Sequence, residues 1–192
     1  MMVPSDDRET YLDGETLFRR YAPFVASFLY RLGVPASDVN DLVQEVFLSA
    51  HKRGGYRPGT TSPKTYLARI SLEAKLANER HNARWRASHV DGVAAAIVGQ
   101  SPENPEGTLA VARAARKLQN ALDSIEPGAR TVFILFELHG ESCETIAAGL
   151  DLKLGTVYSR LHFARKKFLT ATRGPAIRES SSITIDAEQE AV

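Results

Sequence analysis

Gly140 to Ala171 reads GESCETIAAGLDLKLGTVYSRLHFARKKFLTA. Ser142 is a good helix N-cap, and Ile146, Ala147 and Leu150 give the short helix after it an apolar side. Gly149 to Asp151 supply residues able to take the positive φ of a sharp turn. A second helix then starts near Leu154 and stops before Gly174-Pro175. Steps of about 100° per residue put Leu154, Val157, Leu161, Ala164 and Phe168 on one face, which must meet a core. Thr156, Ser159, Arg160, Phe163, Lys166 and Lys167 fall opposite. Lys153, Arg160, Arg165, Lys166, Lys167 and Arg173 lie in this segment without a single acid among them. An apolar back with an uncompensated cationic front suits the anionic major groove. A solvated basic surface helix carries the same charge, but turn, short helix and basic helix arriving together favour a helix-turn-helix that reads DNA.

Working outward, the 192 residues allow one medium domain or two small ones. The net charge of +1 hides local asymmetry. Acids gather at Asp6, Asp7, Glu9, Asp13 and Glu15 and again at Glu179, Asp186, Glu188 and Glu190; bases gather at Arg80 to Arg86 and Lys153 to Arg173. Cys143 is the only cysteine, so no internal disulfide forms and no zinc-type spacing exists. With no partner cysteine, it reads as a spectator thiol rather than an oxidant sensor. The start, MMVPSDDRET, is acidic and lacks the apolar core of a signal peptide. The longest apolar run, Val93 to Val98, falls far short of the ~20 residues that span a bilayer. A cytoplasmic chain without membrane insertion is expected.

Residues 1–10 are expected to be disordered. From Glu15 to Leu32 the residues Leu17, Phe18, Tyr21, Phe24, Val25, Phe28, Leu29 and Leu32 recur at helical spacing, and Gly33-Val34-Pro35 ends that helix. Ser37 can cap the next, Asp38 to Lys52, in which Leu42, Val43, Val46, Phe47 and Ala50 share the core side. Asp41, Gln44, Glu45 and Leu48 share the other. A lone exposed leucine is ordinary on any surface, while one framed by polar residues also suits a protein-docking spot; the spacing leaves both open. Gly54 to Gly59 breaks the pattern, and Ser62-Pro63 restarts it as N-cap and first helical residue. The third helix carries Tyr66, Leu67, Ile70, Leu72, Ala74 and Leu76, then Arg80, His81, Arg84, Trp85, Arg86 and His89. Cations interleaved with an aromatic suit a nucleic-acid backbone. A basic helix end favoured by the macrodipole explains the same residues.

Val90 to Thr108 has linker composition around Ser101 to Gly107, with Val93 to Val98 as a possible short helix. Beyond it, Leu109 to Ile125 places Val111, Ala115, Leu118 and Leu122 on one face, and Pro127 opens a helix with Val132, Phe133, Leu135, Phe136 and Leu138. No stretch of useful length alternates as a strand would. The expected fold is all-α: a helical domain at 11–89, a flexible linker at 90–108, a four-helix, winged-helix-like helix-turn-helix domain at 109–173, and a flexible tail at 174–192.

These motifs together resemble the bacterial sigma factors of RNA polymerase, in the small two-domain extracytoplasmic-function group of the sigma-70 family. Asp41-Leu42-Val43-Gln44-Glu45-Val46-Phe47-Leu48 is similar to the polymerase-docking helix of the family's region 2. Gly155-Thr156-Val157, Ser159-Arg160-Leu161-His162 and Ala164-Arg165-Lys166 are similar to the promoter-reading helix of its region 4, and Leu122 to Leu138 to the helices leading into it. The resemblance implies that Asp41, Gln44, Glu45 and Leu48 bind the clamp coiled coil of the largest subunit of core RNA polymerase. It implies that Thr156, Ser159, Arg160, Phe163, Lys166 and Lys167 contact the upstream promoter element, with Arg160 suited to a guanine edge and the lysines to phosphates. Arg80, Arg84, Trp85 and Arg86 would follow promoter DNA near the downstream element, and an anti-sigma factor would cover one or both faces. No catalytic residue, metal, cofactor or small-molecule substrate is implied.

Several residues depart from the family pattern. Pro63 stands where an aromatic is usual, Tyr66 where Trp is usual, and Glu73 where Asn is usual. A carboxylate facing phosphate would be repelled, so Glu73 must point away or mark altered contacts. Tyr158 and Phe163 stand where Lys and Arg are common, and Phe163 suits a thymine methyl. A helix-turn-helix regulator that is no sigma subunit would use the Asp41 to Leu48 face for dimerisation instead. An enzyme acting on nucleic acid would have only His81, His89 and Glu73 to work with, and no nucleophile, metal cluster or phosphate-cradling loop beside them.

Overall fold

The structure, a computed structural model, describes residues 10–88 and 105–173. The N-terminal segment before Thr10, the region of Val93 to Val98, and the tail from Gly174 lie outside the described residues. Three helices form the first unit: α1 (Gly14–Arg31), α2 (Ala36–Lys52) and α3 (Pro63–Ser88). Four form the second: α4 (Pro105–Asp123), α5 (Pro127–Phe133, continued as a π-helical turn over Ile134–Leu138), α6 (Cys143–Leu150) and α7 (Leu154–Arg173). Among the described residues there is no named strand, only one antiparallel bridge between Leu12 and Tyr56.

Local chemistry sets the helix ends. The Asp13 carboxylate accepts from the Thr16 amide at 2.8 Å and starts α1. Ser62 Oγ accepts from the Thr65 amide at 3.1 Å and starts α3 with Pro63 as first helical residue. Ser142 does the same for α6 through the Thr145 amide, and Asp151, at φ 53°, makes the left-handed turn into α7. One expectation is corrected. Pro35, not Ser37, occupies the N-cap of α2, with no side-chain cap, because the helix starts at Ala36, two residues earlier than a cap at Ser37 would set it. The positive φ of the helix-turn-helix falls within Gly149 to Asp151 as expected, at Asp151, while Gly149 is still helical.

Between α2 and α3 the chain folds back on its own start. Leu12 and Tyr56 exchange both backbone hydrogen bonds, at 3.0 and 2.8 Å. A Cβ on Gly55 would meet the Leu12 carbonyl oxygen at 2.3 Å, and its φ of +80° also calls for glycine. Tyr56, 1% exposed, donates its hydroxyl hydrogen to the Thr61 carbonyl at 2.7 Å and pins the approach to α3. In the second unit Arg130 does the equivalent work. Its guanidinium, largely buried, binds the Asp123 carboxylate at 2.8 Å and the carbonyls of Asp123 and Ile125 at 2.9 and 3.1 Å, closing the turn between α4 and α5.

The apolar faces meet largely as their spacing predicts. Leu17, Val25, Phe28 and Leu29 of α1 are buried against Leu42, Val46 and Ala50 of α2 and Leu67 and Ile70 of α3. Val157, Leu161 and Ala164 of α7 are buried with Val132, Ile134, Leu135 and Ile146. Leu154 departs from its predicted core face and is 38% exposed, since it sits in the first turn of α7 before that helix meets its neighbours. Val111 and Ala115 also depart. The helix carrying them begins at Pro105, inside the stretch read as linker, and Val111 is 69% exposed. Among the described side chains of α4, those from half-buried Leu118 to buried Leu122 reach the core.

The two units touch. Phe24 of α1 meets the His139 ring edge-on at 4.7 Å between centroids, and Lys64 of α3 donates to the His139 carbonyl at 3.3 Å. Thr65 donates to the buried Glu141 carboxylate at 3.4 Å, and the Gln119 amide reaches the Arg31 carbonyl at 3.4 Å. α6 rests on α3 where Gly149 has no side chain: a Cβ there would lie 2.2 Å from the Thr65 methyl.

His139 makes this contact acid-sensitive. Burial, with Lys64 and Arg31 nearby, pulls its pKa from 6.5 down to about 4. The folded state therefore holds a neutral ring that the unfolded chain protonates more readily. Its stabilising contribution is whole above about pH 6.5 and is lost as pH falls toward 4. Urea-unfolding midpoints measured across that window should decline with acid, and His139→Phe, which keeps a ring against Phe24, should flatten the decline.

Candidate nucleic-acid interface and docking face

The α2 helix separates its faces cleanly. Leu42, Val43, Val46, Phe47 and Ala50 are all buried, while Asp41, Gln44, Glu45 and Leu48 are all exposed. Spacings of three and four bring those four side chains onto one strip, with Leu48, 59% exposed, at its end. Phe18 of α1 is 48% exposed and packs edge-on against Phe47 at 5.1 Å. Its exposed aromatic was not singled out by its place in the apolar series of α1.

On α3 the residues Arg80, His81 and Arg84 are exposed, while the side chains of Trp85 and Arg86 lie outside the described residues. Glu73, the carboxylate that would repel a phosphate, is held between two cations. Arg53 Nη2 lies 2.5 Å from one oxygen and Arg69 Nε 3.4 Å from the other. These partners, Arg53 first, outweigh partial burial and hold its pKa below the usual carboxylate value. The acid therefore reaches the surface as part of a net-positive triad.

On α7 the predicted front is brought together, with one displacement. Ser159, Phe163, Lys166 and Lys167 are exposed, Phe163 at 64%. Thr156 is half-buried, and its carbonyl accepts from the Ser159 hydroxyl at 3.0 Å. Arg160 is also half-buried and lies along Gly128, where an added Cβ would sit 3.2 Å from its Cζ. It lines a groove of about 450 Å³ between α3 and the start of α5, together with Leu72, Leu76, Pro127 and Leu152. His162 is exposed on the same front, and the sequence reading passed over it. The helical count had already placed it about 40° from Lys166, but histidine fits a core, a surface or a site and so gave no signal of its own. Tyr158, 52% exposed, donates its hydroxyl hydrogen to Glu144 of α6 at 3.4 Å.

Cys143 is buried at the start of α6, and burial followed by the neighbouring Glu144 pushes its thiol pKa up, which fits a spectator. Among the described residues, no three or more His, Cys, Asp or Glu gather as metal ligands, and no helix is long and apolar enough to cross a membrane. What the surface offers is a small apolar and acidic strip on one unit and a cationic front on the other.

Comparison with known proteins places the chain in a family. Residues 17–84 match Sigma-70 region 2, and residues 115–168 match Sigma-70 region 4. The ECF RNA polymerase sigma-E factor of Escherichia coli K12 is 34% identical over 153 residues, 77% of this chain and 80% of that protein. The chain belongs to the ECF sigma factors of the sigma-70 family. The ECF sigma factor SigE of Mycolicibacterium smegmatis is also 34% identical, over 154 residues, and this sigma factor spans 59% of that relative's length. Among solved structures, the sigma factor RpoE of Bartonella quintana, in complex with the anti-sigma factor NepR, superposes with a TM-score of 0.66 at 23% identity. The match covers 84% of this chain and 97% of that one. CnrH, in complex with the cytosolic domain of CnrY, gives 0.55 at 24% identity, covering 85% and 89%. Those two likenesses carry the fold: all-helical, in two units.

Proposed function

We propose that this sigma factor binds core RNA polymerase through Asp41, Gln44, Glu45 and Leu48 of α2 and directs it to promoters through α3 and α7. Polymerase supplies the chemistry of RNA synthesis; the sigma factor binds, positions and melts. The observation that carries this reading is the pairing of two solvent-facing surfaces of complementary use. One is a leucine framed by acids and an amide, and the other is a helix front with Lys166 and Lys167 exposed and no acid along its length. Thr156, Ser159, Phe163, Lys166 and Lys167 would meet the upstream element, with Arg160 at the flank where a phosphate would pass. Arg80, Arg84, Trp85 and Arg86 would follow DNA at the downstream element, and the clasped Glu73 would not oppose it. By likeness to relatives solved with NepR and CnrY, an anti-sigma factor would hold the protein inactive by covering these faces. Cytoplasmic residence follows from that assignment.

Run-off transcription with purified core polymerase on a genome-wide template pool tests the reading. Promoter-specific transcripts that need the sigma factor are expected, and none would overturn it. The electrostatic part has its own measure. The affinity of the holoenzyme for promoter duplex should fall steeply with salt, and Lys166→Ala should lower the slope of log affinity against log salt by about 0.9, one phosphate's worth of released counterion. An unchanged slope would remove Lys166 from the DNA contact.

A further inference from the structure

We propose that His162 is the residue of α7 that reads a base edge, taking the acceptor edge of a guanine, with Phe163 beside it against a thymine methyl. This rests on the reading of α7 as a major-groove helix and goes beyond it by assigning the reader. A helix lying in the groove touches bases only along the line opposite its buried stripe, while its flanks pass the phosphates. The buried stripe of α7 is Val157, Leu161 and Ala164, at 0%, 4% and 0% exposure. The line opposite it passes through Ser159, His162 and Lys166, with Phe163 adjoining.

The arginines that could serve as base readers are both held elsewhere. Arg160 is turned to the flank along Gly128. Arg165 Nε donates to the Glu137 carboxylate at 2.6 Å, and its guanidinium lies 5.2 Å from the centre of the Phe136 ring. Ser159 is short and its hydroxyl hydrogen goes to the Thr156 carbonyl at 3.0 Å. Lys166 is a flexible point charge, suited to a phosphate. That leaves the imidazole as the planar donor on this face, about 40° from Lys166. Its ring meets Phe163 edge-on, at 5.9 Å and 73°, so the two rings present different chemistry side by side. An imidazole N–H donates to guanine N7 or O6, both acceptors; adenine offers N7 but repels a donor with its amino group. The exposed phenyl ring of Phe163 has no hydrogen bond to give and suits the one methyl in the groove.

The test is selection of bound duplexes from a randomised upstream element by holoenzymes carrying wild type, His162→Ala or His162→Asn. Wild type should select a G·C pair next to a T·A pair. His162→Ala should lose the guanine preference at that one position by about tenfold, with the salt slope and the affinity for non-promoter duplex unchanged. His162→Asn should move the preference at the same position toward adenine, since a carboxamide matches N6 and N7. Because His162 is exposed, the thermal midpoints of all three proteins should agree. The assignment of His162 is overturned if His162→Ala keeps every base preference, or if it weakens all sequences equally with a shallower salt slope, which marks a phosphate contact. A wild-type holoenzyme that transcribes from promoters yet selects no upstream sequence overturns base reading by α7 as a whole. One that does not transcribe at all overturns the sigma-factor reading instead.

Discussion

Replacing Leu48 with aspartate should weaken binding to core polymerase by about thirtyfold or more, the cost of losing an apolar anchor of about 2 kcal/mol. Promoter-directed transcription at limiting sigma factor should fall with it. Leu48 is 59% exposed, so removing it takes little from the core and the thermal midpoint should hold. Its surroundings argue for a large effect on binding. Asp41, Gln44 and Glu45 share its strip, which makes an apolar spot with a polar rim. A third carboxylate on the strip would have to be desolvated on docking, at further cost. Competition for core polymerase against an unaltered sigma factor measures this. Equal competition by the variant would remove α2 from the docking surface.

Gly149→Val should separate the two helical units. The new Cβ would stand 2.2 Å from the Thr65 methyl, 2.5 Å from Thr61 Oγ1 and 3.0 Å from Thr65 Cβ. Thr65 is fully buried and β-branched, so it cannot swing aside, and α6 and α3 must part by ångströms. The contacts between Phe24 and His139, Lys64 and the His139 carbonyl, and Thr65 and Glu141 would go together, because all lie along the same seam. The closest helix pairings, α1 with α2 and α5 with α7, lie within a unit and away from this seam, so helical content should persist. Small-angle scattering should show a larger radius of gyration, and protease should cut the connection between the units faster. Thr65→Ala added to Gly149→Ala should recover part of the packing, since the nearest clash is with the methyl. A variant as compact as the wild type would show that the seam yields without parting.

The sequence revealed most where one helix answers to one environment. α2 is the clearest case: its five core residues and four surface residues fall where a period of 3.6 puts them, because the helix lies against a single core along its whole length. α4 was less legible for the opposite reason. Val111 and Ala115 continue the apolar spacing of Leu118 and Leu122, yet the helix outruns the bundle there and periodicity cannot say where a neighbour ends. The displaced Arg160, the clasp of Arg53 on Glu73 and the fit of Gly149 against Thr65 join residues far apart in the chain, and no local pattern contains them. The exposure of His162 is not legible from residue type, since a histidine suits a core, a surface or a site alike.

The third helix runs without interruption from Pro63 to Ser88. Its first half, with Leu67, Ala68, Ile70 and Ala74, is fastened inside the first unit, and from Leu76 to Arg84 it stands mostly in solvent. At 1.5 Å per residue its 26 residues make a rod of about 39 Å with no joint between the clamped end and the cationic end. The bearing of Arg80 and Arg84 is thus fixed by how Leu67 and Ile70 seat among α1 and α2, the helix that carries Leu48. Whatever orients α2 also aims the far tip of this rod, as a wall bracket aims the lamp it holds.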